Sequence, residues 1–293
     1  MAHLRLEKKY NRWGWFFVAP ASLLIFVFSF LPMIQAFILS LQSGIGNNLH
    51  FTGVRNYLRL MRDQEFIAAV GNAFFYLAAE VPLQLFMALV LAAILNQDRL
   101  KVKGVFRTMI FLPCATSLVS AAIIFKSFFN LDGIVNFLLL KSHAINTPIS
   151  FLTHPVWAKI IIVTVCLWRW TGYNTIFYLA GLQNIDHSIY EAARIDGASP
   201  VQQFFRITIP LLKPVILLTT IMSTNGTLQM FDEPFNITNG GPGLATETIS
   251  LRIYKLSFVY NPQFGYAAAV SYMILLIVAV LSLIQIKATG DRT

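Results

Sequence analysis

No charged side chain occurs between residues 13 and 39. A helix needs about 20 mostly apolar residues to cross a hydrocarbon core of about 30 Å. Lipid offers a bare backbone no hydrogen-bond partner, so such a run must be helical if it spans. Five further stretches read the same way, at about residues 66–95, 108–128, 158–182, 214–231 and 265–286. The second contains Glu80 and Pro82, the third Lys126, the fourth Arg169, and the fifth is short and polar. The chain is therefore expected to be an all-α polytopic membrane protein with six transmembrane helices. Its parts are a tail at 1–12, one transmembrane domain at 13–287 with a loop at 183–213, and a tail at 288–293. Composition agrees: 12% of residues are charged and 56% hydrophobic, against about 25% charged in soluble domains.

Orientation follows from the bias of Lys and Arg among the loops. Arg5, Lys8, Lys9 and Arg12, then Arg99, Lys101, Lys103 and Arg107, fall on one side with Arg194, Arg206, Lys213, Lys287 and Arg292. That makes thirteen cations, against six on the other side: Arg55, Arg59, Arg62, Lys141, Arg252 and Lys255. Both termini and the 183–213 loop are thus expected in the cytoplasm. The net charge of +9 does not indicate a nucleic-acid binder, because the cations flank apolar runs instead of forming a polar basic patch. The first apolar run also exceeds the about 7–15 residues of a signal peptide and has no convincing cleavage site. It reads as a retained first span.

Enzyme chemistry is missing from the pattern. There is no Gly-rich loop ending in Lys-Ser/Thr, so this chain is not expected to hydrolyse ATP. The five histidines are scattered without metal-ligand spacing. Cys114 and Cys166 lie in apolar runs and read as small buried hydrophobes. Glu80 is read as a carboxylate hydrogen-bonded within the bundle beside Pro82; an ion or proton site is the alternative, since intramembrane charges are costly.

Span four carries Trp170, Tyr173, Asn174 and Tyr178 on one helical face. Aromatic rings stack on the apolar faces of sugars and amides bind hydroxyls, so the face reads as cavity lining, with bundle packing as the alternative. Span five adds Ser223, Thr224, Asn225, Thr227 and Gln229, polar groups that need a partner helix or a water-filled cavity. Asp232 and Glu233 mark its outer end. In the 183–213 loop, Glu191, Ala192 and Ala193 begin a short helix that Gly197 interrupts. Phe204, Phe205, Ile207 and Ile209 then form an apolar cluster before Pro210. Its charges nearly balance, so it suits a knob docking into a partner's groove better than a membrane-surface helix.

Glu191-Ala192-Ala193, three residues, Gly197, nine residues and then Ile207-Thr208-Ile209-Pro210 resemble the EAA motif of permease subunits in bacterial binding-protein-dependent ABC importers. Ile209 stands where that pattern usually has Leu. Val81-Pro82-Leu83-Gln84, Phe111-Leu112-Pro113, and Asn239-Gly240-Gly241-Pro242-Gly243 before Thr246-Glu247-Thr248 are similar to the carbohydrate branch, of the maltose-permease type.

The resemblance implies a type I importer permease, multi-pass in the bacterial cytoplasmic (inner) membrane and not an enzyme. It would be half of a pore that takes a carbohydrate, an oligosaccharide in particular, into the cytoplasm by alternating access. The alternatives are a permease for glycerol phosphate or a polyamine, or an ion-coupled secondary carrier. Implied partners are a second homologous permease, two copies of an ABC ATPase, and a periplasmic or lipid-anchored sugar-binding protein. ATP and Mg would be bound by the ATPases, leaving this chain without cofactor or metal. Glu191, Ala192, Ala193, Asp196, Gly197, Phe204, Ile207 and Pro210 would form the ATPase-coupling segment. Trp170, Tyr173, Asn174, Tyr178, Asn225 and Gln229 would bind substrate, and Gly240, Gly241 and Pro242 would meet the binding protein.

Overall fold

The computed structural model describes residues 2–97 and 100–290. The cations counted above at Arg99 and Arg292 lie outside the described residues. In chain order the elements are α1 (Ala2–Ile25), α2 (Leu31–Ser40), β1 (Gln42–Ile45), β2 (Asn48–Phe51), α3 (Arg55–Leu60) and α4 (Gln64–Asn96). Next come α5 (Lys103–Ala115), α6 (Leu118–Phe129), α7 (Ile134–Lys141), α8 (Pro155–Gln183), α9 (His187–Ile195) and α10 (Pro200–Gln203). The last are α11 (Ile209–Leu211), α12 (Lys213–Leu228), α13 (Asp232–Thr238), α14 (Ile249–Tyr254) and α15 (Phe264–Gly290).

Among the described residues, five helical segments are long and apolar enough to span a membrane: 14–40, 64–96, 118–141, 155–183 and 264–288. Residues 200–228 make a sixth if their pair of helices, bent by 72°, is one span. The expected third span, 108–128, departs from a single helix. It falls across α5 and α6, because Thr116 and Ser117 take extended backbone angles and Thr116 turns its hydroxyl onto the Pro113 carbonyl at 2.7 Å. The fifth ends earlier than residue 231: the helix stops at Leu228 and Gln229 leaves helical geometry. At the N-terminus, the tail drawn at 1–12 is continuous with α1, which starts at Ala2.

The chain divides into two units, 2–62 with 253–273 and 63–252 with 274–290. In the first, a π-helical turn at Phe26–Phe30 joins α1 to α2, and β1 pairs antiparallel with β2 in the register Gln42 to Phe51. Asn56 ties this hairpin to the end of α2, its Nδ2 donating to the Ser40 and Gln42 carbonyls at 2.8 and 2.7 Å. The start of α15 lies against β1 so closely that a Cβ on Gly265 would sit 1.9 Å from the Gln42 oxygen.

The second unit is built on α4 packed along α8. Water does not drive helices together in lipid, so small residues that let backbones approach take over. Buried Ala69, Ala73, Ala88 and Ala92 supply them on α4. Gly172 does the same on α8, where a Cβ would lie 1.9 Å from the Ile110 oxygen of α5. Asp63 starts α4 by accepting from the Glu65 and Phe66 amides, and Pro155 occupies the first turn of α8. Apolar packing collects at two levels: around Tyr76, Ile162, Cys166 and Ile237, and around Leu89, Tyr178, Leu182 and Leu212.

Candidate functional site

Between these two levels α4, α8 and α12 leave a cavity of about 270 Å³, just under the ~300–1,000 Å³ usual for small-molecule sites. α8 contributes Trp170, Tyr173 and Asn174, and α12 contributes Met222, Ser223, Gly226 and Thr227. α4 contributes Glu80 and Gln84, and the chain beyond α12 adds Gln229, Asp232 and Glu233. A larger hollow of about 430 Å³ beside Pro32, Gln35 and Gln42 lacks any such convergence of polar groups.

The aromatic wall is held from behind. The Trp170 and Tyr173 rings meet edge to face at 6.1 Å, and Tyr173 meets Phe177 at 5.1 Å. The Trp170 indole Nε1 donates to Glu233 Oε1 at 3.3 Å, and Asn174 Nδ2 donates to Ser223 Oγ at 3.2 Å. Thr227 Oγ1 donates to Glu80 Oε2 at 3.5 Å. Beyond α12, Thr248 and Ser250 hold the chain in place by donating to the Met230 and Gln229 carbonyls. Arg169 does not line the cavity: its guanidinium lies 5.3 Å from the Trp170 ring centroid and its Nη1 donates to the Thr116 carbonyl at 3.0 Å, satisfying the break after α5.

Of the residues expected to meet substrate, the structure brings Trp170, Tyr173, Asn174 and Gln229 to the cavity. Tyr178 does not line it; its ring is 1% exposed and its hydroxyl is 2.7 Å from Thr219 Oγ1, so α12 closes over it. Asn225 is exposed and does not line the cavity; its Oδ1 accepts from the side-chain amide of Gln229, which does. Sequence reading did not place Gln84 or Glu233 in a site. Gln84 follows Glu80 by one helical turn, the spacing that puts both on one face.

The 183–213 loop is a helical knob. Asp186 caps α9 by accepting from the Ser188 amide at 2.9 Å, which holds its carboxyl below the ordinary carboxylate range. The helix begins at His187, so Glu191, Ala192 and Ala193 lie in its middle instead of at its start. Gly197 has φ +79°, a left-handed angle that reverses the chain with little strain only for glycine. Ser199 and Gln202 form a capping box that starts α10. Phe204 and Ile209 pack onto the Leu182–Leu212 level, while Ile207 is half-buried and Pro210 exposed. Glu191, Asp196 and the 86% exposed Ile195 face outward, with Val201 and Phe205 exposed beyond the turn.

The model of the family described as binding-protein-dependent transport system inner membrane component matches residues 8–287. The chain belongs to this family. It is similar to the lactose transport system permease protein LacF of Rhizobium radiobacter, 53% identical over 98% of this chain and 97% of that one. Among solved structures it resembles a bacterial ABC transporter involved in the import of the acidic polysaccharide alginate, at a TM-score of 0.84 and 24% identity, covering 99% of both chains. The same kind of transporter in complex with an alginate pentasaccharide-bound periplasmic protein gives a TM-score of 0.82 at 24% identity, covering 95% and 94%. The fold is thus that of a type I ABC importer permease, a membrane subunit that is not itself an enzyme.

In this permease the Gly-rich loop at 239–243 is a closed turn. Asn239, Gly240 and Gly243 all take positive φ, and the Gly240 amide donates to the Pro234 carbonyl at 3.3 Å. Gly240 is buried and Gly241 and Pro242 are half-buried, so the groups this loop exposes are Asn239 and Gly243. Asn72 of α4 fastens the loop from below, donating to the Leu244 and Glu247 carbonyls at 2.8 and 2.9 Å. Arg252 lies among Asp63 at 3.6 Å, Glu247 at 3.7 Å and Glu65.

Proposed function

We propose that this permease is one half of the pore of an ATP-driven importer that carries a carbohydrate, of oligosaccharide class, into the cytoplasm. The observation that carries the reading is the cavity wall of Trp170, Tyr173 and Asn174. Rings that can stack on a sugar, beside an amide and hydroxyls that bind its oxygens, suit a polyhydroxylated ligand. Similarity to a lactose permease along nearly the whole chain supports the same class. The second half is a homologous permease, two ATPase subunits bind ATP and Mg, and a periplasmic or lipid-anchored binding protein delivers the sugar. The α9–α10 knob seats in an ATPase cleft through Glu191, Ala192, Ala193, Asp196 and Gly197. Phe204 and Ile209 transmit its movement to α8 and α12, switching the cavity between outward and inward access. On this reading, Asn239 and Gly243 flank the binding-protein contact of the Gly240 loop.

Reconstitution in proteoliposomes tests this. With both permeases, the ATPases and the binding protein present, labelled lactose should accumulate only when ATP reaches the ATPases. Accumulation driven by an ion gradient without ATP would replace this reading with a secondary carrier. The carboxylates Glu80, Asp232 and Glu233 around the cavity favour one second reading, a polyamine permease. ATP-dependent uptake of spermidine in place of lactose would establish it.

A further inference from the structure

We infer that the cavity admits uncharged saccharides through an acceptor set of Glu80 and Gln84 on α4 and Glu233 on α13, and rejects acidic ones because no cation among the described residues lines it. The inference rests on the carbohydrate reading above and adds the charge of the substrate and the residues that set it.

Glu80 and Gln84 stand one turn apart on the same face of α4, 3% and 2% exposed, and both line the cavity. Glu233, 5% exposed, lines it from the other end. The acceptor capacity of this set is largely unspent. A carboxyl group offers several lone-pair sites; Glu80 receives one long contact from Thr227, and Glu233 receives the Trp170 indole. Gln84 Oε1 accepts no hydrogen bond from any described residue. A buried acceptor without a donor is costly, and sugar hydroxyls are donors of the right kind. A site built to bind hydroxyls in this way discriminates strongly against ligands that leave its polar groups unmet.

The same cavity offers an anion no partner. No lysine or arginine lines the cavity among the described residues, whereas Glu80, Asp232 and Glu233 do. A uronate carboxylate placed there would give up water in a poorly solvated space with no lining cation to pair with, a cost that sets specificity against anions. The alginate transporter shares this fold, so the backbone alone does not decide substrate charge; the side chains lining the cavity do.

The test uses the complete transporter of both permeases and ATPases in proteoliposomes. The soluble binding protein is left out so that its own preference does not filter the probes. A Met222→Cys reporter on the cavity wall, in a background lacking Cys114 and Cys166, is labelled with a maleimide in the presence of lactose, digalacturonate or spermidine. Lactose should slow labelling and digalacturonate should not. Gln84→Leu should raise the lactose concentration needed by about tenfold without admitting digalacturonate. Gln229→Arg, in complexes that still copurify with the ATPases, should let digalacturonate protect by giving its carboxylate a cation. Equal protection of the unmodified cavity by digalacturonate and lactose would overturn the charge selection and leave the carbohydrate reading standing. Protection by spermidine alone, or by none of the three, would overturn both.

Discussion

The indole N–H of Trp170 and the buried carboxylate of Glu233 are joined at 3.3 Å, so one bond both orients the aromatic wall and holds an acceptor at the cavity edge. α8 and α13 each supply one partner, and neither alone sets the position of the other. Trp170→Phe keeps the ring and removes the donor, leaving Glu233 buried without it, at a cost of about 1–3 kcal/mol. Lactose uptake should fall by roughly tenfold, with assembly retained on size exclusion. Unchanged uptake would show that the bond does not organise the site.

Gly172→Ala should separate α5 from α8, because its Cβ would lie 1.9 Å from a backbone oxygen that no side-chain rotation can relieve. The expected loss is about 1–3 kcal/mol, read as a lower melting temperature of the detergent-purified complex. Gly71→Ala on α4 meets nothing within 4 Å and should hold or gain stability, since alanine is the better helix former by about 1 kcal/mol.

Gly197→Pro should uncouple the knob, because proline cannot adopt φ +79°. Glu191→Ala should do so by removing an outward carboxylate without disturbing α9. Both should abolish lactose uptake while the permease remains inserted at normal amounts in membrane fractions. Normal uptake by Glu191→Ala would remove that residue from the coupling surface.

Arg252→Leu should be far more damaging than Glu65→Gln. Arg252 is 5% exposed and lies 3.6 Å from Asp63 and 3.7 Å from the fully buried Glu247, and removing one member of a buried ion pair costs about 3–5 kcal/mol. The Glu65 side chain is 47% exposed, and an exposed pair contributes about 0–1 kcal/mol. Thermal stability of the two purified variants gives the comparison directly.

Ser199→Cys, at the exposed turn before α10, should react with a membrane-impermeant maleimide only from the cytoplasmic face. Labelling of intact cells from outside would invert the orientation derived from the loop charges.

The loops show how far sequence pattern reaches and where it stops. Gly197 and the Asn239–Gly243 turn were legible because positive φ is costly for other residues, and the structure has positive φ at Gly197, Asn239, Gly240 and Gly243. The break at Thr116 was not, because no glycine or adjacent proline interrupts the apolar run; a side-chain hydroxyl and Arg169 from α8 satisfy the carbonyls there. Tyr178 was misplaced for a related reason. Helical spacing put it on the Trp170 face correctly, but spacing on one helix does not say where the next helix closes over that face, and Thr219 of α12 does so here.

By itself the sequence determined that the chain is helical and polytopic, because lipid leaves an apolar backbone no other way to satisfy its amides. It also determined the family, through the spacing around Glu191 and Gly197. Only the tertiary structure decided which polar groups share a cavity. Glu80, Trp170 and Glu233 lie far apart along the chain and meet only after small residues let α4, α5 and α8 pack closely. Hydropathy records how much apolar surface a span carries, whereas a cavity arises where three helices fail to touch.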